Sequence, residues 1–184
     1  LSLLNLSLVN IERFWVFLYF VLPGVTMYFL MRHLYKPDSE KGKIAALLGA
    51  SLYMFNYLVM VDVIQLAIRP LMAFLPLQIL FLIKGLEEKQ ISFKYSSLIA
   101  LTSLFYASAN INIAYIIPFY FILFVYLIFY LAVTKRFKHG FLFLFLTLCL
   151  YLLANLWWIG DSLVLMIRAS GSILKSLASY DFLK

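Results

Sequence analysis

Six apolar stretches, each close to the length that crosses a bilayer, are joined by connectors that alternate between strongly basic and nearly uncharged. The stretches are Phe14–Leu34, Ile44–Val61, Leu71–Ile83, Tyr95–Ala109, Ala114–Val133 and Phe141–Ile159. A helix rises about 1.5 Å per residue, so about 20 residues cross a hydrocarbon core of roughly 30 Å. The first, fifth and sixth stretches meet that length. The third and fourth need flanking residues or local thinning of the bilayer. Lipid offers no water to an open sheet edge, and no alternating barrel strands occur, so helices are expected throughout. Hydrophobic residues make up 65% of the 184 and charged residues 12%, more apolar surface than a soluble domain of this length can hide. The expected fold is an all-α integral membrane bundle of six transmembrane helices, with short interfacial helices on its outer face.

The basic residues orient the bundle. Arg32, Lys36, Lys41 and Lys43 follow the first span, Lys84, Lys89 and Lys94 the third, and Lys135, Arg136 and Lys138 the fifth. The other side holds only Arg13, Arg69, Arg168, Lys175 and Lys184, spread over longer segments. Ten against five places the odd connectors in the cytoplasm and both ends of the chain on the extracytoplasmic side. Trp15, Trp157 and Trp158 fall at the outer ends of spans, where amphipathic rings prefer to sit. The net charge of +7 is thus a topology signal, and no nucleic-acid partner is expected. The partners implied by this solvent are membrane lipids.

Leu1–Ile11 lacks the basic stretch of a signal peptide. An extracytoplasmic start without an export signal implies a piece of a longer chain, preceded by a further span and an external loop. Residues 162–184 read as an amphipathic external tail broken near Gly171, with Leu163, Ile167, Ile173, Leu174, Leu177 and Phe182 apolar among Ser, Lys and Arg. The whole of 1–184 reads as one transmembrane domain. Cys149 stands alone inside the sixth span and supports no disulfide framework. No Walker A loop, selectivity-filter glycine motif, Gly-x-Ser-x-Gly or His/Cys cluster is present; no cofactor is called for and no metal ligand is assigned, while the sequence does not decide a divalent-metal requirement. The spans hold essentially no central ionisable side chain, which argues against ion conduction and proton relays.

Polar residues toward the outer face are the functional candidates. Asp62, Gln65 and Arg69 share one stripe if the second span continues as a helix. They form either the wetted side of an interfacial helix with Arg69 snorkelling, or an anion and hydroxyl site at the membrane surface. Asn110 and Asn112 lie in a minimal hairpin, where carboxamides either cap helix ends or line a sugar pocket. Asn56 and Asn155 fit helix–helix hydrogen bonding within the bundle.

The order of several segments resembles a known family. They are Ile11-Glu12-Arg13-Phe14-Trp15, Ala46-Leu47-Leu48-Gly49-Ala50-Ser51-Leu52-Tyr53-Met54-Phe55-Asn56, and the outer segment leading to Pro70 and Leu75-Pro76-Leu77. Ala109-Asn110-Ile111-Asn112 and Leu153-Ala154-Asn155-Leu156-Trp157-Trp158 complete the set. Together they resemble the polyprenyl-phosphate-dependent (GT-C type) glycosyltransferases, above all the N-terminal membrane region of alpha-(1→3)-arabinofuranosyltransferases; YfhO-like membrane proteins are similar. Tyr57 stands where members of the family often carry Pro. The resemblance implies sugar transfer at the outer face, from a polyprenyl-phosphate-linked donor to a glycan, lipid or protein acceptor. The family's catalytic Asp lies in a loop before the first span seen here, so no residue of this chain is assigned as catalytic. Arg69 and then Arg13 would hold the donor phosphate, with Asp62, Gln65, Asn110 and Asn112 as sugar or acceptor contacts. A non-catalytic subunit of a lipid or polysaccharide transporter or flippase is the alternative. The orientation is checked by single-cysteine labelling at positions 69 and 110 with a membrane-impermeant maleimide. Modification from the external side is expected, and labelling only from the cytosol would reverse the topology.

Overall fold

The computed structural model describes residues 7–35, 39–56, 69–111 and 113–181. Every regular element among them is helical: α1 (Leu8–Leu34), α2 (Glu40–Met54), α3 (Arg69–Glu87), α4 (Phe93–Ser103), a 3-10 segment (Leu104–Ile111), α5 (Ile113–Thr134) and α6 (Phe137–Asp181). Three stretches are long and apolar enough to cross a membrane: Leu8–Leu34, Arg69–Glu87 and Phe137–Ser162. The shorter apolar run Tyr120–Thr134 lies in α5. α2 and α4, with 15 and 11 residues, are shorter than a bilayer-crossing helix.

The ends of the helices have local causes. Ser39 caps α2, its side chain accepting from Gly42 N at 3.0 Å, so the helix starts ahead of the apolar run expected from Ile44. It stops at Met54, where Phe55 is the C-cap. The helical continuity from the second span toward Asp62 is therefore broken at Phe55–Asn56, and Asp62 and Gln65 lie outside the described residues. In α4 the Thr102 hydroxyl donates back to Leu98 O at 2.7 Å and Ser103 to Ala100 O at 2.6 Å. Such back-bonding competes with the helical ladder, and α4 gives way to a 3-10 segment at Leu104, short of the Ala109 end expected. α3 runs to 19 residues where a short span was expected, because Arg69, Pro70 and Lys84–Glu87 extend it. α6 continues unbroken past Gly171, against the break expected there. One helix-interior glycine costs only about 1 kcal/mol, and no proline follows it.

α3 is the hub. It packs against α1 on one side and α4 on the other, α2 leans on α1, and α6 lies along α4. The apolar core follows α3: Leu80 and Ile83 meet Leu30 of α1, while Leu82 and Leu86 meet Ile99, Leu127 and Phe143. Lipid tails are as apolar as these side chains, so close packing and hydrogen bonds hold the helices together, not escape from water. Small residues allow the approach. A Cβ on Gly85 would collide with the ring of Phe143, which is fully buried.

α1 and α3 run parallel, since His33 Nε2 meets Glu87 Oε2 at 3.0 Å near both C-termini and Thr26 Oγ1 donates to Ala73 O at 2.7 Å further back. Tyr130 of α5 donates to Leu86 O at 2.8 Å, which brings the α5–α6 turn to the same end. The basic connectors are therefore gathered at one end of the bundle. Trp15 lies about 27 Å along α1 from His33, and Trp157 lies about 30 Å along α6 from Phe137, by helix rise. That separation is about one hydrocarbon thickness. Both rings are exposed, Trp157 at 65%. The apolar face of α5, with Ile117, Phe121, Phe124 and Ile128 exposed, suits contact with lipid.

Replacing Gly85 by Ala should destabilise the bundle by about 1–3 kcal/mol through overpacking against Phe143. Gly160→Ala, where nothing lies within 4 Å, should be neutral or stabilising. Thermal unfolding in detergent, followed by helical circular dichroism, reads the difference.

Candidate functional site: a buried arginine beside an apolar chamber

Arg69 opens α3 and is buried, with 7% of its surface exposed. It lies about 27 Å along the helix from Glu87, which sets it at the tryptophan end of the bundle. A cation sunk at that depth is costly unless its surroundings use it. Two residues on, Leu71 packs against Tyr106, and both are almost fully buried. Phe74 of α3 stacks on Phe105 with ring centroids 5.0 Å apart, fixing the 3-10 segment against α3. Tyr106 itself departs from helical geometry, with φ −115° and ψ 18°.

Tyr106 is also one wall of a chamber of about 490 Å³ between α3, α4, α5 and α6. Leu82, Leu123, Leu127 and Leu144 form much of its apolar lining. Its polar groups are three phenols, Gln78 and Thr147. Tyr106 and Tyr120 are hydrogen-bonded through their side chains, and Tyr120 donates to the Tyr151 hydroxyl at 2.7 Å. Gln78, only 1% exposed, donates to Ile99 O at 3.0 Å and to Thr102 Oγ1 at 2.6 Å. Thr147 bonds Ser96 at 2.9 Å across α4 and α6. None of the residues lining the chamber is a carboxylate, histidine or cysteine, so they supply no acid, base or nucleophile of ordinary strength. The chamber is lined mostly by apolar side chains, with hydroxyls of Tyr106, Tyr120, Tyr151 and Thr147 among them.

The remaining sequence candidates are placed unevenly. Arg13 is exposed on α1 and lines a separate surface hollow of about 440 Å³ with Glu12, Val16, Phe17 and Phe20. The structure therefore does not bring it into a cavity with Arg69. Asn110 falls within the 3-10 segment, where its side chain is not described, and Asn112 lies outside the described residues. Asn56 is exposed just beyond α2 rather than inside the bundle. Asn155 does join helices: its Nδ2 donates to Ser103 Oγ at 2.6 Å and to Tyr151 O at 2.9 Å, and its Oδ1 accepts from Trp158 Nε1 at 2.7 Å. Among the described residues, no group of three or more His, Cys, Asp or Glu side chains is placed to hold a metal ion.

Sequence reasoning passed over Gln78 and the three tyrosines. An amide in the middle of the apolar run Leu71–Ile83 was a usable signal, since a polar side chain at that depth needs a partner. The tyrosines carried none, because they come from three separate elements and meet only in the folded bundle.

The chain matches no protein-family model, and neither a curated protein nor a solved structure proves significantly similar to it. The fold and site define a class only: an all-helical membrane-type bundle with a lateral apolar chamber and a buried arginine near its end.

Asn155→Leu should cost about 1 kcal/mol, the scale of interhelical hydrogen bonds in membranes. Adding Ser103→Ala should cost less than the two single changes summed. A double-mutant cycle on thermal unfolding in detergent measures the coupling.

Proposed function

We propose that this chain is the membrane domain of a lipid-linked-sugar glycosyltransferase. In this reading six spans cross the bilayer, interfacial helices lie on the outer face, and both ends are extracytoplasmic. The enzyme moves a sugar from a polyprenyl-phosphate donor to a glycan, lipid or protein acceptor. One observation supports it above the others: a buried cation, Arg69, stands two residues from the Leu71–Tyr106 contact that walls the apolar chamber. A phosphate on an isoprenoid tail needs that pairing of a fixed positive charge with an apolar channel. The guanidinium can hold a phosphate through two parallel hydrogen bonds and stabilise the charge left when the sugar departs. Arg13 would meet donor approaching along α1. Asp62, Gln65, Asn110 and Asn112 would contact sugar or acceptor hydroxyls.

The chamber is also what a non-catalytic lipid transporter would need, and sugar transfer separates the two. In lipid nanodiscs, a photoreactive polyprenyl phosphate should label the protein. Arg69→Gln should lower the labelling about tenfold or more, the scale of a lost charged hydrogen bond, and Arg69→Lys should retain part of it. Unchanged labelling in Arg69→Gln would remove the arginine from the site. Specific labelling without transfer from any polyprenyl-phosphate sugar would favour the transporter reading.

A further inference from the structure

A second cavity lies at the opposite end of the bundle, where the basic connectors gather. It measures about 540 Å³ and is formed by the α3–α4 loop, with Lys89, Gln90 and Ile91, and by the turn from α5 into α6. That turn is only two residues long. Lys135 takes the left-handed backbone conformation, φ 55°, which a side chain makes costly. The strained turn sets Lys135, Arg136 and Lys138 side by side on the cavity wall, with Lys89 facing from the loop. Like charges so close repel, yet none of the four has an ion-pair partner among the described residues. Glu87 is engaged by His33, and Glu88 is exposed.

A helix end adds to the positive potential, and a second feature leaves a polar atom unmatched. The cavity takes in the first turn of α6, whose leading N–H groups have no intrahelical partner. Arg136 accepts there from Gly140 N at 3.0 Å, but its side chain has no acceptor with which to cap the helix. His139 also lines the cavity, and its Nε2 is buried with no hydrogen-bond partner among the described residues. Below the cations the lining turns apolar at Leu142, and exposed Phe141 and Phe145 continue down α6. Cations above and an apolar helix face below match the two halves of a phospholipid.

We propose that this cleft binds the phosphate headgroup of an anionic phospholipid, with an acyl chain lying along α6 past Leu142. The proposal is independent of the glycosyltransferase reading, since it concerns the other end of the molecule and a lipid without sugar. It is tested by native mass spectrometry of the purified chain in detergent, titrated with phosphatidylglycerol and with phosphatidylcholine of the same acyl chains. Phosphatidylglycerol should be retained selectively. The pair Arg136→Gln and Lys138→Gln should weaken it about tenfold, the scale expected from removing two surface cations. The pair Lys41→Gln and Lys43→Gln removes equal charge from the same end and should change it no more than about twofold. Equal losses in the two pairs would reduce the site to general surface charge and overturn the proposal. So would equal retention of the two lipids, or displacement of phosphatidylglycerol by millimolar glycerol phosphate, which would make a soluble phosphate the ligand. Should the first pair fail to keep its helical circular dichroism, Lys89→Gln is read instead. It should weaken phosphatidylglycerol several-fold, and an unchanged affinity would overturn the proposal equally.

Discussion

Proline 76 leaves the carbonyl of Met72 without its helical donor, in a setting where lipid cannot supply one. The Tyr53 hydroxyl of α2 supplies it, at 2.8 Å. At the very next carbonyl Thr26 of α1 donates to Ala73 O, and further along Gln78 reaches Ile99 and Thr102 of α4. At the far end Tyr130 of α5 donates to Leu86 O, and His33 meets Glu87. α1, α2, α4 and α5 thus each share a polar bond with the backbone or side chains of α3. Without these bonds the apolar faces would have little reason to prefer one another over lipid. The position of Arg69 and the shape of the chamber both follow from how α3 is held.

The arrangement explains how a chain with so few charged residues can define two chemically different ends. Most charge lies near the helix ends, with Asp161, Arg168 and Lys175 along the C-terminal half of α6 as the departure from that rule. The interior keeps neutral hydrogen-bonding groups: hydroxyls, amides and phenols. Neutral groups satisfy one another at modest cost in a medium of low dielectric, whereas an isolated charge there is heavily penalised. Arg69 is the buried exception at the tryptophan end, and the cations of the α5–α6 turn, without ion-pair partners among the described residues, crowd the other.

How much of this was legible beforehand depends on the kind of signal. Apolar runs separated by basic connectors pointed to helices and to their common end, and the gathering of Lys89, Lys135, Arg136 and Lys138 follows that pattern. Boundaries were harder to read, because they turn on single side chains. Ser39 starts α2 early, Ser103 and Thr102 end α4 early, and nothing at Gly171 forces α6 to stop. Arg69 stood out as a cation between apolar runs. Asp62 and Gln65, expected on one stripe with it, lie outside the described residues. The phenol row of Tyr106, Tyr120 and Tyr151 had no counterpart in any local pattern, since long-range packing alone brings it together.

The fixed interval between the basic turns and the tryptophans has a consequence for where such a molecule can settle. Thr26 bonds Ala73, Leu30 packs on Leu80 and Ile83, and His33 meets Glu87, so α1 and α3 resist sliding one at a time to suit a different thickness. In a bilayer a few ångströms thicker, the Trp15 and Trp157 rings would sink into hydrocarbon, or the lipid around them would compress. In a thinner one the whole bundle would lean. A protein built to one span length is sorted by the membrane it meets.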